Sequence, residues 1–82
     1  YHQGKGVTLK LSKAVELFKK AASKGDPDGQ FELGVCYYTG SGVEMNHMKA
    51  VEMFKLASDQ GHLDAIFNLA MCFQSGHGVD VD

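Results

Sequence analysis

Lys13-Ala14-Val15-Glu16-Leu17-Phe18-Lys19 returns 36 positions later as Lys49-Ala50-Val51-Glu52-Met53-Phe54-Lys55. A fixed period of about 20–50 residues is the mark of a repeat array, so the recurrence governs how the rest is read. Laid without a gap on residues 37–82, residues 1–46 agree at 19 positions. Average residue usage would give about three or four. The matches include Tyr1/Tyr37, Gly4/Gly40, Gly6/Gly42, Ala21/Ala57, Gly25/Gly61, Asp28/Asp64, Phe31/Phe67, Leu33/Leu69 and Cys36/Cys72.

One unit builds two helices. Lys13 to Lys24 places Ala14, Leu17, Phe18, Ala21 and Ala22 on one face, with Lys13, Glu16, Lys19 and Lys20 largely on the other, the spacing of an amphipathic helix. Gly25 stops it, because glycine most easily takes the left-handed conformation after a last turn. Asp26-Pro27-Asp28 then reads as a cap, a first-position proline and a first-turn acid, opening a second helix through Phe31, Leu33, Val35 and Tyr37. Thr39-Gly40-Ser41-Gly42-Val43 breaks that helix, and Val43 is expected to plug the loop into the core. The pair recurs at Lys49–Gln60 and Asp64–Gln74, ending in Gly76-His77-Gly78-Val79. Ala21/Ala57 and Gly34/Ala70 fall on apolar faces where small residues let backbones approach, with Phe18/Phe54 filling the space beside them. Nothing alternates over a strand's length. The fold class is all-α, an α-solenoid of stacked helix-turn-helix repeats of 36 residues.

At 82 residues with 44% apolar and 22% charged residues the chain fits one compact unit of an ordinary folded type. Eight lysines face ten acids with no arginine, a net charge of −2, which gives no basic face for nucleic acid. Residues 1–24 carry six lysines and one acid, +5, whereas residues 25–82 carry −7. That asymmetry reads as solvated helix faces or as an electrostatically oriented partner surface. No apolar run approaches the ~18 residues of a membrane span, so no membrane contact is expected of this segment.

The repeated positions resemble the Sel-1-like repeat family, a branch of the tetratricopeptide-type α-solenoids. Gly29, Leu33, Gly34, Tyr37, Gly40, Gly42 and Val43 follow the family's first helix and turn, with Gly29 in place of the usual alanine. Lys49, Ala50, Phe54, Ala57, Ser58 and Gly61 follow its second helix, and a partial copy keeps Ala65, Leu69, Phe73, Gly76, Gly78 and Val79. The resemblance implies a right-handed superhelix and divides the chain into a partial repeat 1–27, a repeat 28–63 and a partial repeat 64–82. It further implies a window on a longer array, trimmed at both ends.

The search for chemistry leaves little. Cys36 and Cys72 occupy equivalent places on successive helices, on the order of 10 Å apart, whereas a disulfide needs Cα atoms within ~7 Å. They read as unpaired, small buried hydrophobes in a reducing compartment. His2, His47, His62 and His77 lack the spacing of a metal site. His62 reads as a weak cap at a helix start and the others as loop or surface residues. There is no Ser-x-x-Lys, Gly-x-Ser-x-Gly or complete phosphate loop. Asp26/Asp28 and Asp80/Asp82 read as caps and solvated loop acids. No catalytic residue, metal or cofactor is assigned.

A surface remains. By family register the first helices line a concave groove, here Asp28, Phe31, Val35, Tyr38 and Thr39, continued by Asp64, Phe67, Met71, Gln74 and Ser75. Both sets are also helical stripes by spacing alone. Aromatics and a flexible methionine between polar ends suit an extended peptide or a partner helix. The alternative at Phe31 and Phe67 is packing inside the hairpin. The resemblance implies a non-catalytic scaffold or adaptor that binds a protein or peptide partner. A homo-oligomer through solenoid faces and a regulatory repeat region of a larger protein are the alternatives, and a weak acyl hydrolase of the bacterial penicillin-binding type stands behind them. Two unpaired cysteines and no Asn-x-Ser/Thr point to an intracellular, cytoplasmic setting, with the endoplasmic reticulum lumen and mitochondrion left open.

Overall fold

Capping chemistry fixes where the helices begin and end. The computed structural model describes residues 3–75, with side chains from Lys10 onward. It contains α1 (Gln3–Ser23), α2 (Pro27–Thr39), α3 (His47–Asp59) and α4 (Leu63–Ser75). Each helix packs on the next in sequence, which makes the architecture all-α, and no strand occurs among the described residues. Turns and start sites at 76–79, His2, His77, Asp80 and Asp82 lie outside those residues.

The two tight connections share one geometry. Gly25 and Gly61 sit at φ 87° and 86°. The Gly25 N–H donates to the Ala22 carbonyl and Asp26 N–H to that of Ala21, while Gly61 donates to Ser58 and His62 to Ala57. This paired closure satisfies the last carbonyls of α1 and α3 at a residue that adopts positive φ without strain. α2 starts as its sequence predicts: the Asp26 carboxylate accepts from the Asp28 N–H at 3.0 Å, with Pro27 in the first turn.

The structure moves three expected boundaries. α3 begins at His47, not at Lys49, because Asn46 caps it by accepting the Lys49 N–H at 3.0 Å. α4 runs from Leu63 to Ser75 in place of Asp64–Gln74. α1 extends back to Gln3, through Gly4 and Gly6, whose repeat partners Gly40 and Gly42 form a turn. Glycine permits a reversal without forcing one. At 40–46 the reversal is held by the Asn46 N–H on the Tyr37 carbonyl, by Gly42 against the Leu11 carbonyl and by Val43 against Val15, Leu33 and Cys36. At Gly4 and Gly6 the segment continues as helix.

The core forms two linked clusters in repeat register. Val15, Leu33 and Cys36 are buried with Phe18, Ala22, Val43 and Met53 around them. Ala50, Val51, Phe54 and Cys72 are buried with Phe31, Val35, Tyr38 and Leu69, and Tyr37 packs on both clusters. Small residues set the separations at Gly34 and Gly29, whereas Ala70, expected on a close-packed face, is exposed. A Cβ on Gly34 would lie 2.7 Å from the Phe54 ring, and one on Gly29 2.5 Å from the Ala21 Cβ. Buried Gln30 ties the ends of three helices together, accepting from the Gln60 amide at 2.8 Å and facing the Ala22 carbonyl at 3.4 Å.

Candidate functional site

The helical stripes on α2 and α4 divide into a packed half and an open half. Phe31 is half-buried, its ring stacked 4.7 Å from that of His62 and 5.9 Å from that of Phe54. Asp28 is exposed and accepts from His62 Nε2 at 3.0 Å, while His62 Nδ1 accepts the Ala65 N–H at 3.1 Å. The neutral ring with its proton on Nε2 satisfies both bonds. His62 therefore caps α4, as its position suggests, and also clamps Asp28 and Phe31 onto the α3–α4 turn.

Val35 and Tyr38 are half-buried against Ala50, Val51, Phe54 and Cys72, and the Tyr38 ring lies 4.7 Å from that of His47. The Thr39 hydroxyl bonds the Val35 carbonyl at 2.9 Å and the Ser41 hydroxyl at 2.7 Å. On α4, Asp64, Phe67, Met71, Gln74 and Ser75 are all exposed. Phe67 is 64% exposed and Met71 50%, large for apolar side chains.

Two predicted stripe residues meet. Tyr38 of α2 and Met71 of α4 line a cavity of about 120 Å³ completed by Phe54, Asn68 and Cys72. Phe54 and Cys72, expected as core residues, also line it, and Asn68 is the polar member that the sequence does not point to. Its repeat partner is Glu32, so no repetition singles it out, although it lies four residues after Asp64 and three before Met71 on the same face. The wall is apolar except for the Asn68 amide and the Tyr38 hydroxyl, a composition suited to holding a side chain and orienting the backbone that bears it. A second, shallower trough of about 340 Å³ lies on the α1/α3 side, lined by Lys19, Ala22, Ser23, Leu33, Tyr37, Met53 and Leu56.

The titratable groups have the character of core and surface. Cys36 and Cys72 are both free and buried. Burial pushes both thiols up, and the Glu32 carboxylate pushes Cys36 further. Both then stay protonated near neutral pH, the opposite of an activated nucleophile. Among the described residues no group of three or more His, Cys, Asp or Glu side chains could hold a metal ion. No described helix is long and apolar enough to cross a membrane.

The family model described as Sel1 repeat matches the chain three times, over residues 1–26, 27–62 and 63–82. No curated protein matches the sequence.

Proposed function

The chain belongs to the Sel1 repeat family, whose repeats are generally protein–protein interaction modules, and from that premise we infer that it is a scaffold that seats a partner segment in the groove between α2 and α4. The observation that carries this reading is the meeting of Tyr38 and Met71 around one cavity. Successive units of a right-handed array would extend the stripe, so a partner would be read along several helices. The reaction chemistry of an acyl hydrolase has no support in the disposition of the cysteines or of the serines, and a non-catalytic role is the reading adopted. A cytoplasmic setting, where both thiols stay reduced, fits the same picture.

A pull-down from a proteome with the full chain tests it, comparing wild type with Met71→Glu on the groove and Leu56→Glu on the opposite trough, after circular dichroism has shown all three to be folded. Partners lost with Met71→Glu and kept with Leu56→Glu support the groove. The reverse pattern assigns binding to the α1/α3 side and refutes it.

A second reading rests on α4, where Leu63 is 79% exposed, Ile66 44% and Phe73 46%. These apolar side chains suit self-association through the exposed face of α4. Sedimentation of the full chain across a hundredfold concentration range distinguishes the two, since a groove adaptor stays at constant mass.

A further inference from the structure

Lysines, though not acids, segregate by helix in this fold. α2 carries Asp28 and Glu32, α4 carries Asp64, and neither holds a lysine. All eight lysines lie on α1, on α3 or in the turn after α1. α2 and α4 thus carry acids and no lysine, whereas α1 and α3 mix their lysines with Glu16, Glu52 and Asp59; of the acids on the groove stripes, Asp28 is held by His62 and Asp64 is exposed. A face of one sign beside an apolar socket selects a partner of the opposite sign.

Resting on the groove reading above, we propose that the occupant is an extended, basic segment of a partner protein, anchored by one aliphatic side chain in the Tyr38–Asn68–Met71 cavity and carrying a lysine or arginine two or three residues from that anchor. Size sets the anchor. An apolar cavity of ~150 Å³ accommodates a benzene-sized group, so about 120 Å³ takes a leucine or methionine side chain and excludes an indole. Spacing sets the cation. Asp64 lies four residues from Asn68 and seven from Met71, about 6 and 10 Å along α4 at 1.5 Å per residue. An extended chain advances about 3.3 Å per residue, which spans those distances in two to three residues. Asn68, with an amide that both donates and accepts, is placed to bond the peptide backbone between the two side chains.

The test uses fluorescein-labelled ten-residue peptides and anisotropy with the full chain. Each peptide carries Lys-Ser-Thr-Leu or the reversed Leu-Ser-Thr-Lys, with matched versions in which lysine becomes glutamate or leucine becomes alanine. The lysine-to-glutamate change is expected to weaken binding about three- to fivefold at low salt, a preference that disappears with Asp64→Asn and shrinks at high ionic strength. Removing the leucine is expected to cost tenfold or more, as is Met71→Glu. Equal binding of the glutamate peptides, or a lysine preference that survives Asp64→Asn, overturns the proposal. If no peptide binds while partners in the pull-down remain sensitive to Met71→Glu, the groove stands and its basic-ligand assignment falls. Peptide binding that is indifferent to Met71→Glu sinks both. Displacement of the peptide by self-association gives the groove to a second copy and likewise overturns the proposal.

Discussion

Replacing Gly34 with alanine should destabilise the fold, against the ordinary preference for alanine within helices. The new Cβ would stand 2.7 and 2.8 Å from two Phe54 ring carbons and 3.2 Å from the Met53 Cβ. Carbon atoms pack at about 3.5–4 Å, so the ring or the helix must withdraw by roughly 1 Å. Phe54 is 1% exposed and packed among Ala50, Val51 and Cys72, which leaves it little space to retreat. Overpacking of this kind costs about 1–3 kcal/mol, and the helix preference of alanine over glycine returns about 1 kcal/mol. The net expectation is a loss centred near about 1 kcal/mol and reaching about 2 kcal/mol, or roughly 4–8 °C in Tm per kcal/mol for a domain of this size, read by urea and thermal melts followed by circular dichroism. Ala70, the repeat equivalent, is exposed, and Ala70→Gly should also destabilise, by about 1 kcal/mol. Equivalent positions thus prefer opposite residues because only one faces a phenylalanine ring. In a Phe54→Leu background the cost of Gly34→Ala should largely vanish. A Gly34→Ala that stabilises the wild-type background by the full helix preference of about 1 kcal/mol would refute the close α2–α3 approach.

Three further outcomes are expected. Asn46→Ala should cost about 1 kcal/mol by removing the α3 cap, measured as a lower urea midpoint at unchanged m. His62→Ala should cost about 1–2 kcal/mol, because it removes the Ala65 cap and the Phe31 stack together; His62→Asn, which can still cap, should recover part of the loss. Stability should also fall at alkaline pH. Burial raises both thiols in the folded chain, so the unfolded chain releases those protons first. Their contribution is complete below about pH 8 and is lost as pH rises towards the folded values, at up to about 1.4 kcal/mol per pH unit for each thiol. Melts at pH 7, 9 and 10 check the slope, and the double variant Cys36→Ala, Cys72→Ala should flatten it.

Helix ends were legible where one residue's backbone chemistry decides them. Gly25, Gly61 and Asp26-Pro27 act as their types require in any context. The start of α3 was harder, because apolar periodicity locates a face and Asn46 lies outside it. Gly4 and Gly6 lie within α1 although their repeat partners Gly40 and Gly42 form a turn, because glycine permits a reversal without forcing one. At the groove, Tyr38 and Met71 could be set on one surface by register, since each belongs to a helical stripe. Asn68 could not, because its partner position holds glutamate. The clamp by His62 was half visible, its capping role being local in sequence and its contacts with Asp28 and Phe31 being about thirty residues distant.

Phe31 and Phe67 are the same residue at the same repeat position, as are Asp28 and Asp64. Phe31 is nonetheless half-buried and Phe67 is 64% exposed. The difference lies in the neighbour: Phe54 and His62 cover Phe31, and no described residue stands in that relation to Phe67. Burial in this architecture is a property of a junction between units, consistent with arrays whose stability is a sum of unit and nearest-neighbour terms. The same holds for binding. The cavity takes Tyr38 from one unit, Asn68, Met71 and Cys72 from the next and Phe54 from the helix between them, so an isolated helix pair has no such socket. On the groove reading, an added junction would place Gln74 where Tyr38 stands here, so the sockets of a longer array would differ in lining from one junction to the next.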